Sequence, residues 1–157
     1  LLTKSSLVLR DLDLLTTMGG SGISMSIAFD KDDTRTLFEG NTMPTGDRME
    51  ALRECKNAGV RVSAMVCPVI PHVNDPLPII KEAHTFADKV WVYGLSILND
   101  SEVNWKKVEK RLGEHFPETC AETTRAIFNR DHPYWPELRQ AILDASSGKE
   151  CELSIHF

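Results

Sequence analysis

A chain of 157 residues is long enough for one domain with a real core, and 41% hydrophobic with 26% charged side chains is an ordinary globular composition. Eighteen basic against 23 acidic side chains leave a formal charge of −5, which weighs against a broad polyanion-binding surface but allows a local basic patch. No apolar run has the length needed to cross a bilayer, and Lys4 and Arg10-Asp11-Leu12-Asp13 follow the first leucines too closely for a signal peptide.

In chain order, Leu1-Leu2-Thr3-Lys4-Ser5 reads as the end of a strand whose beginning is absent. With no initiator methionine, the expectation is a piece of a longer protein. A helix is expected from about Leu7 to Thr17, broken by the glycines of Met18-Gly19-Gly20-Ser21-Gly22. Ile23 to Phe29 reads as a second strand, and the charged stretch Asp30 to Glu39 as a short helix. Thr45 is expected to cap the next helix, which carries Ala51, Leu52 and Cys55 on its apolar stripe and ends at Gly59. Val60 to Val66 is a continuous apolar run suited to a strand covered on both faces. Pro68 and Pro71 are expected to stop it, and Asn74 or Asp75 to cap a helix from Pro76 to about Ala87. Lys89 to Tyr93 reads as a fourth strand, followed by Gly94. Helices over Val103–Phe116, Pro117–Asn129 and Tyr134–Ser146 and a short strand over Cys151–Ile155 complete the pattern.

Strands alternating with helices at this spacing imply βαβ crossovers and a parallel α/β sheet over residues 1–98, with a mainly helical extension, 99–157, packed on it. In such folds ligands bind at the loops after the strands' carboxyl ends, which singles out Pro68 to Asp75. Cys55, Cys67, Cys120 and Cys151 are widely spaced, so they read as small buried hydrophobes in a reducing cytoplasm rather than as a metal site of this chain alone. His72, His84, His115, His132 and His156 show no metal-ligand spacing and read as solvated or satisfied. Lys106, Lys107, Lys110 and Arg111 read as a solvated helix face.

Four pieces in order carry a resemblance. Thr3-Lys4-Ser5 precedes Leu9-Arg10-Asp11-Leu12-Asp13-Leu14-Leu15. Met25-Ser26-Ile27 follows, then Glu39 with Pro44 and Arg48, then Pro68-Val69-Ile70-Pro71-His72-Val73-Asn74-Asp75. Together, over roughly residues 1 to 98, they resemble the radical S-adenosylmethionine (SAM) family, in its spore photoproduct lyase-like branch, often labelled DNA repair photolyases. The chain departs from the pattern at His72, where the family has glycine, and at Gly40, where a proline follows the glutamate. The resemblance implies a parallel half barrel, the later strands of a partial (βα)6 TIM-like barrel, with a C-terminal helical extension. It implies SAM as cofactor, with a 4Fe-4S cluster whose CxxxCxxC ligands lie upstream of Leu1.

By the same resemblance Lys4 faces the methionine carboxylate of SAM, Ser26 contacts the ribose, and Pro68, Val69 and Ile70 offer backbone groups and an apolar wall to adenine. Glu39 and Arg48 read either as an ion pair tying the loop after the second strand to the next helix or as two solvated charges. No catalytic residue and no metal ligand is expected within these residues. The full protein would cleave SAM and use the resulting 5′-deoxyadenosyl radical on a substrate, in the narrowest reading a pyrimidine lesion in DNA. Two alternatives stay open. One is an inactive half barrel that associates through its exposed sheet edge, with a second copy as partner. The other is part of a (β/α) barrel lyase or hydrolase in which Lys4 forms a Schiff base.

Overall fold

The computed structural model describes all residues, 1–157. Five strands form one sheet in the order β1 (Leu2–Thr3), β2 (Gly22–Ser26), β3 (Arg61–Val69), β4 (Lys89–Gly94) and β5 (Glu152–His156), and every neighbouring pair is parallel. Between them lie α1 (Leu12–Thr17), α2 (Asp32–Glu39), α3 (Thr45–Asn57), α4 (Leu77–Ala83), α5 (Val103–His115), α6 (Cys120–Phe128) and α7 (Tyr134–Ser146).

Spatial order equals chain order, so each connection steps to the next position in the same direction. Crossovers of one hand then place their helices on one side of the sheet. The core shows this. Ile23, Met25, Val62, Ala64, Val66, Val90 and Val92 alternate along the strands and share one buried cluster with Met49, Leu52 and Cys55 of α3, Ile79 and Ile80 of α4, and Trp135 and Ile142 of α7. The intervening strand residues Ser24, Ser63, Met65, Cys67, Trp91, Tyr93 and Ser154 point the other way and are only partly covered.

Several boundaries differ from expectation for identifiable reasons. The first helix is split: Ser6–Asp11 winds as a 3-10 segment, opened by the Ser5 hydroxyl accepting from Leu7 N at 3.2 Å, before α1 begins. Thr45 is not the cap of α3. Pro44 holds that position, and the Thr45 hydroxyl instead donates to the Phe29 carbonyl at 2.6 Å. β3 does not stop at Val66. It runs through Pro68 to Val69, and the ladder slips register between Val66 and Val69, where a proline without an N–H costs no bond. The Cys67–Pro68 peptide is cis.

The last 59 residues return to the sheet. β4, the three helices α5 to α7, and β5 form one more parallel crossover, and Glu152 to His156 pair with Lys89 to Tyr93 in unbroken register. A second buried cluster, with Phe29, Ile70, Trp105, Leu112 and Ile127 among its members, seats α5 and α6 on the loops at the strands' carboxyl ends. No helix is long and apolar enough to cross a membrane.

Candidate functional site

At the carboxyl edge of β1 and β2 the chain builds a charged relay. Arg48 is 1% exposed, so each guanidinium N–H must find a partner inside the protein. Nε donates to Met43 O at 2.8 Å and Nη1 to Ser26 O at 2.9 Å. Nη2 donates to Glu39 Oε2 at 2.5 Å and to Thr42 Oγ1 at 2.7 Å. Lys4 pairs with the other oxygen of Glu39. Burial pushes the Glu39 carboxyl upward, but the hydrogen bonds from Arg48 and Lys4 outweigh it and hold the group below the ordinary value of 4.5. Of the two readings of Glu39 and Arg48, the ion pair is therefore the one formed, it is buried, and Lys4 completes it.

Lys4 is 44% exposed on its side chain, and Glu39 takes one of its three N–H donors. Ser26 is nearly buried. Its carbonyl serves Arg48, and its hydroxyl, which alternation sets on the sheet face away from the helices, makes no hydrogen bond within the chain. Cys67 lies on that same face. Burial pushes its thiol up, partly offset by the charge of Lys4. Lys4, Ser26 and Cys67 thus gather at the carboxyl end of the uncovered face.

Pro68, Val69 and Ile70 are arranged differently from expectation. Val69 and Ile70 are buried in the two separate clusters, so their side chains form no wall toward a ligand. The backbone there is already paired. Pro68 O accepts from Asn74 Nδ2 at 3.0 Å, Val69 O from Leu95 N at 2.9 Å and Ile70 O from Val73 N at 3.1 Å. What this segment can still offer is the half-exposed Pro68 ring and a second lone pair on each carbonyl.

Asn74 organises this edge. It is 6% exposed; its Oδ1 accepts from Ile70 N at 2.7 Å, and its Nδ2 donates to Ala28 O as well as to Pro68 O. One side chain therefore locks the loop after β2 to the loop after β3. Neither Asn74 nor Asp75 holds the cap position of α4, which is Pro76, but Asp75, just before it, accepts from Leu77 N at 2.9 Å. His72 has φ of 61°, in the left-handed region, so the turn carries the strain of a Cβ there. Its ring meets the Tyr134 ring edge-on at 5.1 Å.

One feature of the uncovered face and one of the covered side escaped sequence reading. Trp91, Tyr93 and His156 stack in a row, with Tyr93 and His156 4.4 Å apart and 8° from parallel, and Lys89 Nζ sits 3.7 Å over Trp91. The available signal was the alternation of β4, which opposes Trp91 and Tyr93 to Val90 and Val92. His84, expected as solvated or satisfied, is 8% exposed. Its Nε2 lies 2.8 Å from Ser146 Oγ, and its Nδ1 is buried without a partner. The basic run on α5 is exposed and partly paired, Lys106 with Glu109 and Lys110 with Glu114. The cysteines lie on separate elements, and no three His, Cys, Asp or Glu side chains converge as metal ligands.

No family model matches the chain, and no solved structure matches it significantly. It is similar to the uncharacterized protein ORF301 of Acidianus two-tailed virus, 29% identical over 119 residues, which are 71% of this chain and 39% of that protein. It is also similar to the uncharacterized protein MJ0683 of Methanocaldococcus jannaschii, 26% identical over 119 residues, 76% of this chain and 44% of that protein. The chain thus matches less than half the length of each of these relatives.

Proposed function

We propose that these residues are the later half of a partial (βα)6 barrel in a radical SAM enzyme, and that they contribute the SAM-binding edge of its site. The observation that carries this reading is the placement of Lys4, Ser26 and Cys67 together at the carboxyl end of an uncovered face of a sequentially ordered, all-parallel sheet. Sequential order with helices on one side suits a sheet that curves toward closure, and barrels place their sites at that end.

The residues present fit SAM in part. Lys4 has free donors for a carboxylate, and Ser26 has a free hydroxyl for a ribose diol. Glu39 and Arg48 set where Lys4 points. Pro68 supplies a small apolar contact, and Asn74 holds the carbonyls of 68–70 in place. The dispersed cysteines do not suit a 4Fe-4S cluster, so its ligands belong upstream in this reading. Bound at such a cluster, SAM supplies a 5′-deoxyadenosyl radical that takes hydrogen from a substrate.

Titration of SAM into the full-length protein tests the assignment of Lys4. A charge-assisted bond to a carboxylate is worth about 1.5–3 kcal/mol, so Lys4→Ala weakens SAM binding by about tenfold or more. Ser26→Ala costs about 1 kcal/mol, a smaller loss. Unchanged SAM affinity in Lys4→Ala, with an unchanged melting temperature, overturns the assignment.

A further inference from the structure

We propose that Thr42 is a positioning residue for Lys4: its hydroxyl, where two buried guanidiniums meet, locks the Glu39 carboxylate that holds the Lys4 ammonium at the carboxyl end of β1. The inference rests on the reading above, in which Lys4 meets the carboxylate of SAM, and it names the residue that sets the geometry of that contact. Thr42 lies in the loop between α2 and α3 and is partly buried. Its Oγ1 accepts from Arg35 Nη1 at 3.1 Å and from Arg48 Nη2 at 2.7 Å, and it lies 3.1 Å from Glu39 Oε2. A guanidinium can only donate, so the two arginines take both lone pairs of the hydroxyl. Its one proton is left for Glu39 Oε2, and the direction of the O–H is thereby fixed.

The consequence falls on the carboxylate. Glu39 Oε2 accepts from Thr42 and from Arg48 Nη2, while Oε1 faces Lys4. Two donors on Oε2 fix the plane of the carboxylate and turn Oε1 toward β1. Lys4 then gives one N–H to Oε1, and its other two are held in a defined place for a ligand.

Both arginines are anchored in turn. Arg35, 7% exposed, donates to Asp32 Oδ1 at 2.7 Å, to Gly40 O at 3.2 Å and to Thr42 O at 2.6 Å. Arg48 is tied to Met43 O and Ser26 O. Met43 Sδ accepts from Ser6 N at 3.4 Å, so the same loop also grips the backbone just past Lys4. These anchors do not use the Thr42 hydroxyl. Its removal therefore leaves the loop in place and frees the carboxylate to turn.

The test is calorimetric titration of SAM into the full-length protein and its Thr42→Val, Lys4→Ala and double variants. Thr42→Val, which keeps the side-chain volume, weakens SAM binding about three- to tenfold, the loss of one hydrogen bond, and Thr42→Ser restores it. In the Lys4→Ala background Thr42→Val adds nothing, because Thr42 acts through Lys4. Equal loss in both backgrounds overturns the proposal, as does unchanged affinity in Thr42→Val where Lys4→Ala weakens it. Melting curves accompany each variant, and if Thr42→Val unfolds, Thr42→Cys, with its weakly bonding thiol, decides. A readout without ligand separates this proposal from the SAM reading. Followed by carbon-13 NMR, the Glu39 carboxyl, below 4.5 in the wild type, titrates higher in Thr42→Val and returns in Thr42→Ser. An unshifted Glu39 titration overturns the lock on the carboxylate. Unchanged SAM affinity in Lys4→Ala overturns the SAM reading, while a raised Glu39 titration still supports the lock.

Discussion

Replacing Asn74 with alanine strips partners from Ile70 N, Ala28 O and Pro68 O at once. A buried group left unpaired costs about 1–3 kcal/mol, so with some relaxation the loss is about 2–4 kcal/mol by urea unfolding, and a loss under about 1 kcal/mol contradicts the role given to Asn74. His84 predicts a pH dependence. Burial, and secondarily Lys149, lowers its pKa from 6.5, and its buried Nδ1 has no acceptor for a second proton. The unfolded chain therefore binds that proton more readily. Stability is fully present above pH 6.5 and falls as pH drops from there toward the lower folded value. Unfolding free energies between pH 7.5 and 5 should show this slope, and His84→Gln should flatten it. Glu39 acts further toward acid: its depressed pKa gives a contribution present above 4.5 and lost as pH falls through the folded value. The sequence offered the pairing of Glu39 with Arg48 only as one of two readings, beside two solvated charges, and burial of Arg48 among backbone carbonyls decides it. The unpaired Nδ1 of His84 was not legible, because it depends on where α7 lies against α4.

Among the elements, β4 and its exit make the sharpest test. A Cβ on Gly94 would stand 2.8 Å from Arg130 Nη1 and 2.9 Å from Trp135 Cη2. The indole is buried and its Nε1 is tied to Ala126 O at 2.7 Å, so it cannot move aside freely. Gly94→Ala should cost about 1–3 kcal/mol, the range for overpacking, and differential scanning calorimetry should show the lower melting temperature. Strand and helix order could be read from alternation and punctuation, and Tyr134–Ser146 falls on its expected bounds. The errors came where tertiary contacts decide. Pro68 continues β3 because the ladder slips there, and Thr45 leaves its capping role to reach Phe29 O. The helix expected to reach Ala87 ends at Ala83, where Thr85, Phe86 and Ala87 turn back onto Glu82 and Ala83.

Taken whole, the molecule covers one face of its sheet and leaves the other open. Leu1, Leu2, Leu7, Leu14 and Met18 are exposed beside the β1 edge. An open strand edge beside apolar surface favours pairing, so these 157 residues alone should self-associate at micromolar concentration in sedimentation velocity. A monomer throughout that range would count against pairing through this edge. The parallel α/β class was legible in the sequence. The return of residues 152–156 to the sheet as its fifth strand, beyond a helical extension, was visible only as one short β-like run at the end of three helices. The most direct test of the central proposal is formation of 5′-deoxyadenosine by the full-length protein, reconstituted anaerobically with iron and sulfide and reduced with dithionite in the presence of SAM. The account predicts 5′-deoxyadenosine in proportion to bound cluster, reduced in Lys4→Ala at subsaturating SAM. A protein that binds no cluster, or a loaded one that leaves SAM intact, would contradict it.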